Sequence, residues 1–148
     1  MNWKKVLRYI IILLPWFISA LIFRTDSNYY MSLKLPSFAP APWVFGVVWP
    51  ILYILISYSI YKVYDYGDRD YKINFWINYI SNQLYTFFFF TIKSPVLALI
   101  DTLIVLATSI IAFLQTRKID SKYSYYLIPY ILWNIFATIL SVSIYVMN

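Results

Sequence analysis

Five long apolar stretches broken by short polar turns set the pattern of this chain, at approximately 6–23, 43–63, 73–92, 96–114 and 123–147. Each holds roughly 18 to 25 residues, and a helix rising about 1.5 Å per residue crosses a hydrocarbon core about 30 Å thick with that length. The pattern predicts an all-α integral membrane protein, residues 1–148 forming a single domain built as one bundle of five transmembrane helices. The connection 24–42 is the longest, and Pro36, Pro40 and Pro42 make it irregular. The second connection carries Asp65, Gly67, Asp68, Arg69 and Asp70, a water-facing turn, and the fourth, 117–122, is also charged. The third is only Lys93, Ser94 and Pro95, with Pro95 suited to the first turn of the next helix. Connections this short predict that successive spans pack as antiparallel neighbours. Lys4, Lys5 and Arg8 before the first stretch resemble a secretory signal, but the run is long for one and lacks a clear small-residue cleavage site, so it is read as a span.

Composition agrees with a lipid environment. Hydrophobic residues make up 62% of the chain and charged residues 12%, about half the charged share of an average soluble domain. The net charge of +6 does not point to nucleic acid, because the basic residues sit at the ends of apolar runs, where lipid headgroups lie. Lys4, Lys5, Arg8, Lys62, Arg69, Lys72, Arg117, Lys118 and Lys122 fall on one side of the predicted bundle and only Arg24, Lys34 and Lys93 on the other. The bias predicts a cytoplasmic N-terminus, with the proline-rich loop and Asn148 on the opposite face. The chain has neither Cys nor His, which removes thiol nucleophiles, Ser-His-Asp sets and His/Cys metal cages. Its two glycines, Gly46 and Gly67, cannot build a phosphate-binding loop.

Candidate chemistry is confined to aromatic rings, amides and one acid. Trp3, Trp43 and Trp76 lie near span ends, where amphipathic rings form interfacial belts. Phe45, Trp49 and Tyr53 share one face of the second helix, and Trp133, Ala137 and Ser141 one face of the fifth. Either stripe suits a packing seam or a ligand cavity; Trp16 reads as packing or lipid-facing. Asn82 and Gln83, with Tyr79 and Tyr85 nearby, lie deep in the third stretch, where amides bond another helix or orient a ligand. Asp101 sits about 9 Å into the fourth helix. An acid at that depth is either a proton, cation or substrate site, or a paired group facing Asn82, Gln83 or a Trp N–H. Thr108, Ala112 and Thr116 form a small-residue stripe suited to close helix packing.

Two stretches resemble a known family. Pro36-Ser37-Phe38-Ala39-Pro40, then Trp43-Val44-Phe45-Gly46-Val47-Val48-Trp49 and Tyr53, resemble the proline-rich loop and W-x-F-G-x-x-W signature of the translocator proteins, also called tryptophan-rich sensory proteins or peripheral-type benzodiazepine receptors. Pro129-Tyr130-Ile131-Leu132-Trp133 and Phe136-Ala137-Thr138-Ile139-Leu140 resemble the family's fifth-helix elements. The resemblance runs over essentially the whole chain. It implies a five-helix bundle, commonly a homodimer and here of the bacterial cell-membrane type, whose cavity binds tetrapyrroles such as protoporphyrin IX and hydrophobic drugs beneath the first loop. Carried over by position, the pocket comprises Tyr30, Pro40, Phe45, Trp49, Tyr53, Asn82, Gln83, Tyr85, Trp133, Ala137 and Ser141. Asp101 is added as a pocket-lining or structural acid. Some bacterial members are reported to degrade porphyrin in light, which would make Trp49 and Trp133 the photochemically active residues. The chain departs from the family pattern at Phe87, Phe90 and Ser141, in place of Asn, Trp and Asn. No Arg or Lys follows Tyr145, so high-affinity cholesterol binding is not expected. With no His or Cys to ligate haem iron, free-base porphyrin is expected over haem, as ligand or substrate, with no obligatory cofactor and no metal. The alternative reading is a proton-coupled exporter that uses Asp101.

Overall fold

The computed structural model describes residues 3–148, and these form helices joined by short connections, with no strand among the described residues. Helix α1, Trp3–Ile22, tightens into a 3-10 turn over Leu14–Phe17 where Pro15 lacks an N–H. A short helix α2, Ser27–Ser32, lies within the first connection and is capped by Asp26, whose carboxylate accepts from the Tyr29 N–H at 2.9 Å. Helix α3, Pro42–Tyr66, begins on Pro42 and ends in a 3-10 turn. Helix α4, Arg69–Thr86, is capped by Asp68 and continues through a π-turn over Phe87–Thr91. Ser94 caps α5, Pro95–Ile119, and Pro95 stands in its first turn, as the sequence predicts. Asp120 caps α6, Ser121–Met147, which contains a 3-10 turn over Tyr125–Leu127.

Four of these helices, α1, α3, α5 and α6, are long and apolar enough to cross a membrane. Their outward residues, Leu7, Ile54, Leu103, Ile110, Leu132 and Ile139 among them, are exposed and apolar while Ser, Thr and Asn are buried, the inverse of a water-soluble surface. Helix α4 falls short of that apolarity because Asn74, Asn78, Ser81, Asn82 and Gln83 lie on one side of it. All five are buried against other helices, and the opposite side exposes Ile73, Trp76, Ile77 and Ile80.

Around the bundle the order is α1, α3, α6, α5, α4 and back to α1. Helix α5 packs along both α4 and α6, whereas α3 and α4 face each other across the centre and make no extended contact. The expected pairing of successive helices therefore holds for three of the four consecutive pairs and fails between α3 and α4. Trp16 lies buried and stacked on Tyr53, ring centroids 5.4 Å apart, which resolves it as a packing residue. The Thr108 and Thr116 stripe is buried within the chain, where Asn74 and Asn78 donate to the Thr108 carbonyl and hydroxyl.

Candidate functional site

A cavity of about 300 Å³ opens between the two buried clusters of the bundle. Helix α3 supplies its aromatic wall, because Phe45, Trp49 and Tyr53 recur every four residues on one face. Gly46 and Pro50 stand on the same wall, and Pro50 has no N–H to pair with the Gly46 carbonyl four residues back. Helix α4 supplies Asn82, Tyr85 and Thr86, then Phe89 and Phe90 from the π-turn, with Tyr85 stacked on Phe89 at 5.6 Å. Leu140 and Ile144 of α6 and Phe17, Ser19 and Ala20 of α1 complete the sides.

The first connection closes the top. The Tyr30 hydroxyl donates to the Pro40 carbonyl at 3.0 Å and its ring meets Phe45 edge-on at 5.7 Å, so Tyr30 is buried although it sits in a connection. Two further contacts fasten this lid. Lys93, held at φ 56°, reaches Asp26 at 3.2 Å and lies 5.1 Å from the Tyr29 ring centre. At the other end Asn148 Oδ1 accepts from the Lys34 N–H at 2.9 Å and its amide donates back to the Lys34 carbonyl at 3.1 Å. The Tyr29 N–H and then the Lys93 ammonium hold the Asp26 carboxyl below its usual range.

A chain of hydrogen bonds runs outward from the wall. Tyr53 donates to Asn82 Oδ1 at 3.2 Å, the Asn82 amide donates to the Tyr130 hydroxyl at 3.1 Å, and Tyr130 donates to Asn78 Oδ1 at 3.1 Å. Asn82 thus spends its amide on orienting Tyr53, while Asn78 anchors the chain on Thr108 at 2.8 Å.

Of the residues singled out from sequence, Tyr30, Phe45, Trp49, Tyr53, Asn82 and Tyr85 line the cavity. Pro40 contributes only the carbonyl that fixes Tyr30. Gln83 points at α1, accepting from the Ser19 N–H at 2.8 Å and donating to the Trp16 carbonyl at 3.2 Å. Asp101 lies off the wall, buried, with Ser81 donating to Oδ1 at 2.6 Å and Oδ2 without a partner among the described residues. The partners expected for it, Asn82 and Gln83, are engaged elsewhere. Trp133 sits behind the wall, 5.9 Å from the Phe45 ring and 6.5 Å from Trp49, and lines an outer groove with Leu52 and Leu132. Its N–H has no partner among the described residues. Ala137 and Ser141 share its side of α6, and the cavity takes Leu140 and Ile144 from the adjacent row instead. Sequence reading missed those two, the α1 residues and the Phe89–Phe90 edge. A stripe reading at four-residue spacing finds faces and not the rotation of each helix, and the π-turn shifts the phase of the phenylalanine run.

The site therefore offers ring faces, hydroxyls and one committed amide, with no cluster of acids able to hold a metal among the described residues. Such a lining takes up a flat, largely apolar molecule by stacking and excludes water from it.

Residues 9–147 match the model of the TspO/MBR family. The chain is 34% identical over 136 residues to the tryptophan-rich protein TspO of Bacillus cereus, covering 90% of this chain and 89% of that protein. It is 37% identical to an uncharacterized membrane protein, YtaB, of Bacillus subtilis, covering 86% and 84%. Over 80% of this chain and 73% of the other, it is 29% identical to the human translocator protein.

Proposed function

The chain belongs to the TspO/MBR family of membrane proteins, and from that premise we propose that it is a receptor whose intramembrane cavity binds porphyrins, protoporphyrin IX among them, and other flat hydrophobic molecules. The observation that carries this reading is the aromatic cavity walled by α3 and α4 and covered by the Tyr30 lid. At about 300 Å³ the closed cavity stands at the small end of ligand sites. A tetrapyrrole is larger, so binding requires the lid to lift, and the lid is held by few contacts, at Asp26, Tyr30 and Asn148.

In this reading Tyr30, Phe45, Trp49, Tyr53 and Tyr85 contact the ligand. Asn82 and Pro40 position tyrosines, and Gln83, Ala137 and Ser141 support the walls. Any light-driven porphyrin loss is slow and passes through Trp49, with Trp133 behind it. We further propose that α4 is the fifth membrane-spanning helix, since its polar groups are satisfied inside the bundle and its outer face is apolar. The N-terminus would lie in the cytoplasm of a bacterial cell and the lid on the other side. The assembly would be a homodimer in the bilayer, without high-affinity cholesterol recognition.

Titrating the purified protein in detergent with protoporphyrin IX tests the reading. Saturable binding with a shifted Soret band and quenched tryptophan emission is expected. Binding of haem alone, or no saturable binding of the free base, would refute it.

A further inference from the structure

We propose that the mouth of the cavity is an anion subsite in which Arg24 holds a ligand carboxylate, so that the preferred ligands are flat amphiphiles carrying acid groups along one edge. This rests on the cavity taking a porphyrin-like body. The cavity and an open groove of about 590 Å³ beside it share Thr25, Ser27 and Phe90, which makes them one continuous space. Its character changes across those three residues. Inward lie aromatic rings; outward lie Arg24, Asn28 and Thr91.

Asp26 also borders the groove and on its own would repel an acid. Its carboxylate is already occupied by the Tyr29 N–H at 2.9 Å and by Lys93 at 3.2 Å, so the pair contributes no net charge. Arg24 is exposed and makes no ion pair among the described residues, which leaves the mouth positive. A guanidinium matches a carboxylate with two parallel hydrogen bonds, and Asn28 and the hydroxyls of Thr25 and Ser27 lie beside it as further donors. A molecule with an apolar body and an acidic edge thus meets apolar walls and a cationic rim in the arrangement that a neutral drug or a cationic one does not use.

Protoporphyrin IX and its dimethyl ester share one ring system and differ only in the two acid groups, so they separate rim from cavity. In detergent at low salt, wild type is expected to bind the diacid about tenfold more tightly than the ester, the effect of one charge-assisted pair. Arg24→Gln should weaken the diacid alone and bring the two within about threefold, Arg24→Lys should retain part of the preference, and Lys118→Gln, far from the mouth, should change neither. The preference should also shrink as salt is raised. Equal affinity of wild type for both pigments, or an Arg24→Gln variant that weakens both alike, would overturn the subsite while leaving the cavity reading intact. If neither pigment bound wild type, the cavity reading would fall and the subsite with it.

Discussion

At the scale of single residues, the two interior tryptophans separate by position. Trp49 stands on the cavity wall and Trp133 stands 6.5 Å behind it, while Trp76 is half exposed on the outer side of α4. A Phe replacement keeps a ring face and removes the N–H and the easily oxidised indole. Trp49→Phe is therefore expected to abolish most of the tryptophan quenching by protoporphyrin and to slow its light-dependent loss. Trp133→Phe should slow the loss with binding retained, and Trp76→Phe should change neither; absorbance of the pigment under illumination checks all three. Asp101 belongs to the same scale. Because its paired oxygen only accepts from Ser81, Asp101→Asn can keep that bond and should leave protoporphyrin affinity within about twofold. Asp101→Leu strands the buried Ser81 hydroxyl and should lower stability by about 1–3 kcal/mol in a thermal melt. Loss of proton-driven substrate flux in liposomes on Asp101→Asn, with binding intact, would instead favour the exporter.

Among the elements, α4 departs furthest from an ordinary apolar span, and its polarity is used inward. Asn78 alone touches the Val105 carbonyl, the Thr108 hydroxyl and the Tyr130 hydroxyl. Interhelical bonds of this kind contribute about 0.6–2 kcal/mol each. Asn78→Leu should consequently destabilise the protein by about 2–4 kcal/mol and, by releasing Tyr130 and through it Asn82, loosen Tyr53 at the cavity wall. Ile77→Leu, one residue earlier and on the exposed apolar side, should leave the melt unchanged. Helix α1 shows the complementary device. Its 3-10 turn at Pro15 alters the backbone pairing, and Gln83 and the Tyr79 hydroxyl meet the Trp16 and Pro15 carbonyls from α4.

The whole molecule is a ring of long helices with one loop folded over its end, so ligand exchange depends on how that loop is fastened. Asp26 is an acid whose folded pKa is depressed by the Tyr29 N–H and by Lys93. Its contribution to the fastening is fully present above the ordinary Asp range near about 4 and is lost as pH falls through the lower folded value. Porphyrin dissociation is expected to be flat between about pH 5 and 8 and to accelerate only below about pH 4. Asp26→Asn should raise the rate already at neutral pH, and stopped-flow displacement measures both. A rate that changed through pH 6–7 would assign control of the lid to another group.

What the sequence determined by itself follows from local chemistry. Apolar run lengths, the capping residues Asp26, Asp68, Ser94 and Asp120, the prolines and the lysine-arginine bias state which segments are helices, where they begin, and that their surroundings are lipid. The α3 stripe also found its half of the cavity, because residues four apart share a face whatever the helix packs against. Which way each face turns was decided only by the assembled bundle. Trp133 and Ser141 form as regular a stripe as Trp49 and Tyr53, yet the α6 row that reaches the cavity is Leu140 and Ile144. Gln83 neighbours Asn82 in sequence, but successive residues on a helix point about 100° apart, so one amide meets Tyr53 and the other meets α1. The ring order that separates α3 from α4 arises from the competition of all helix faces for partners, a property of the packed molecule that no segment carries alone.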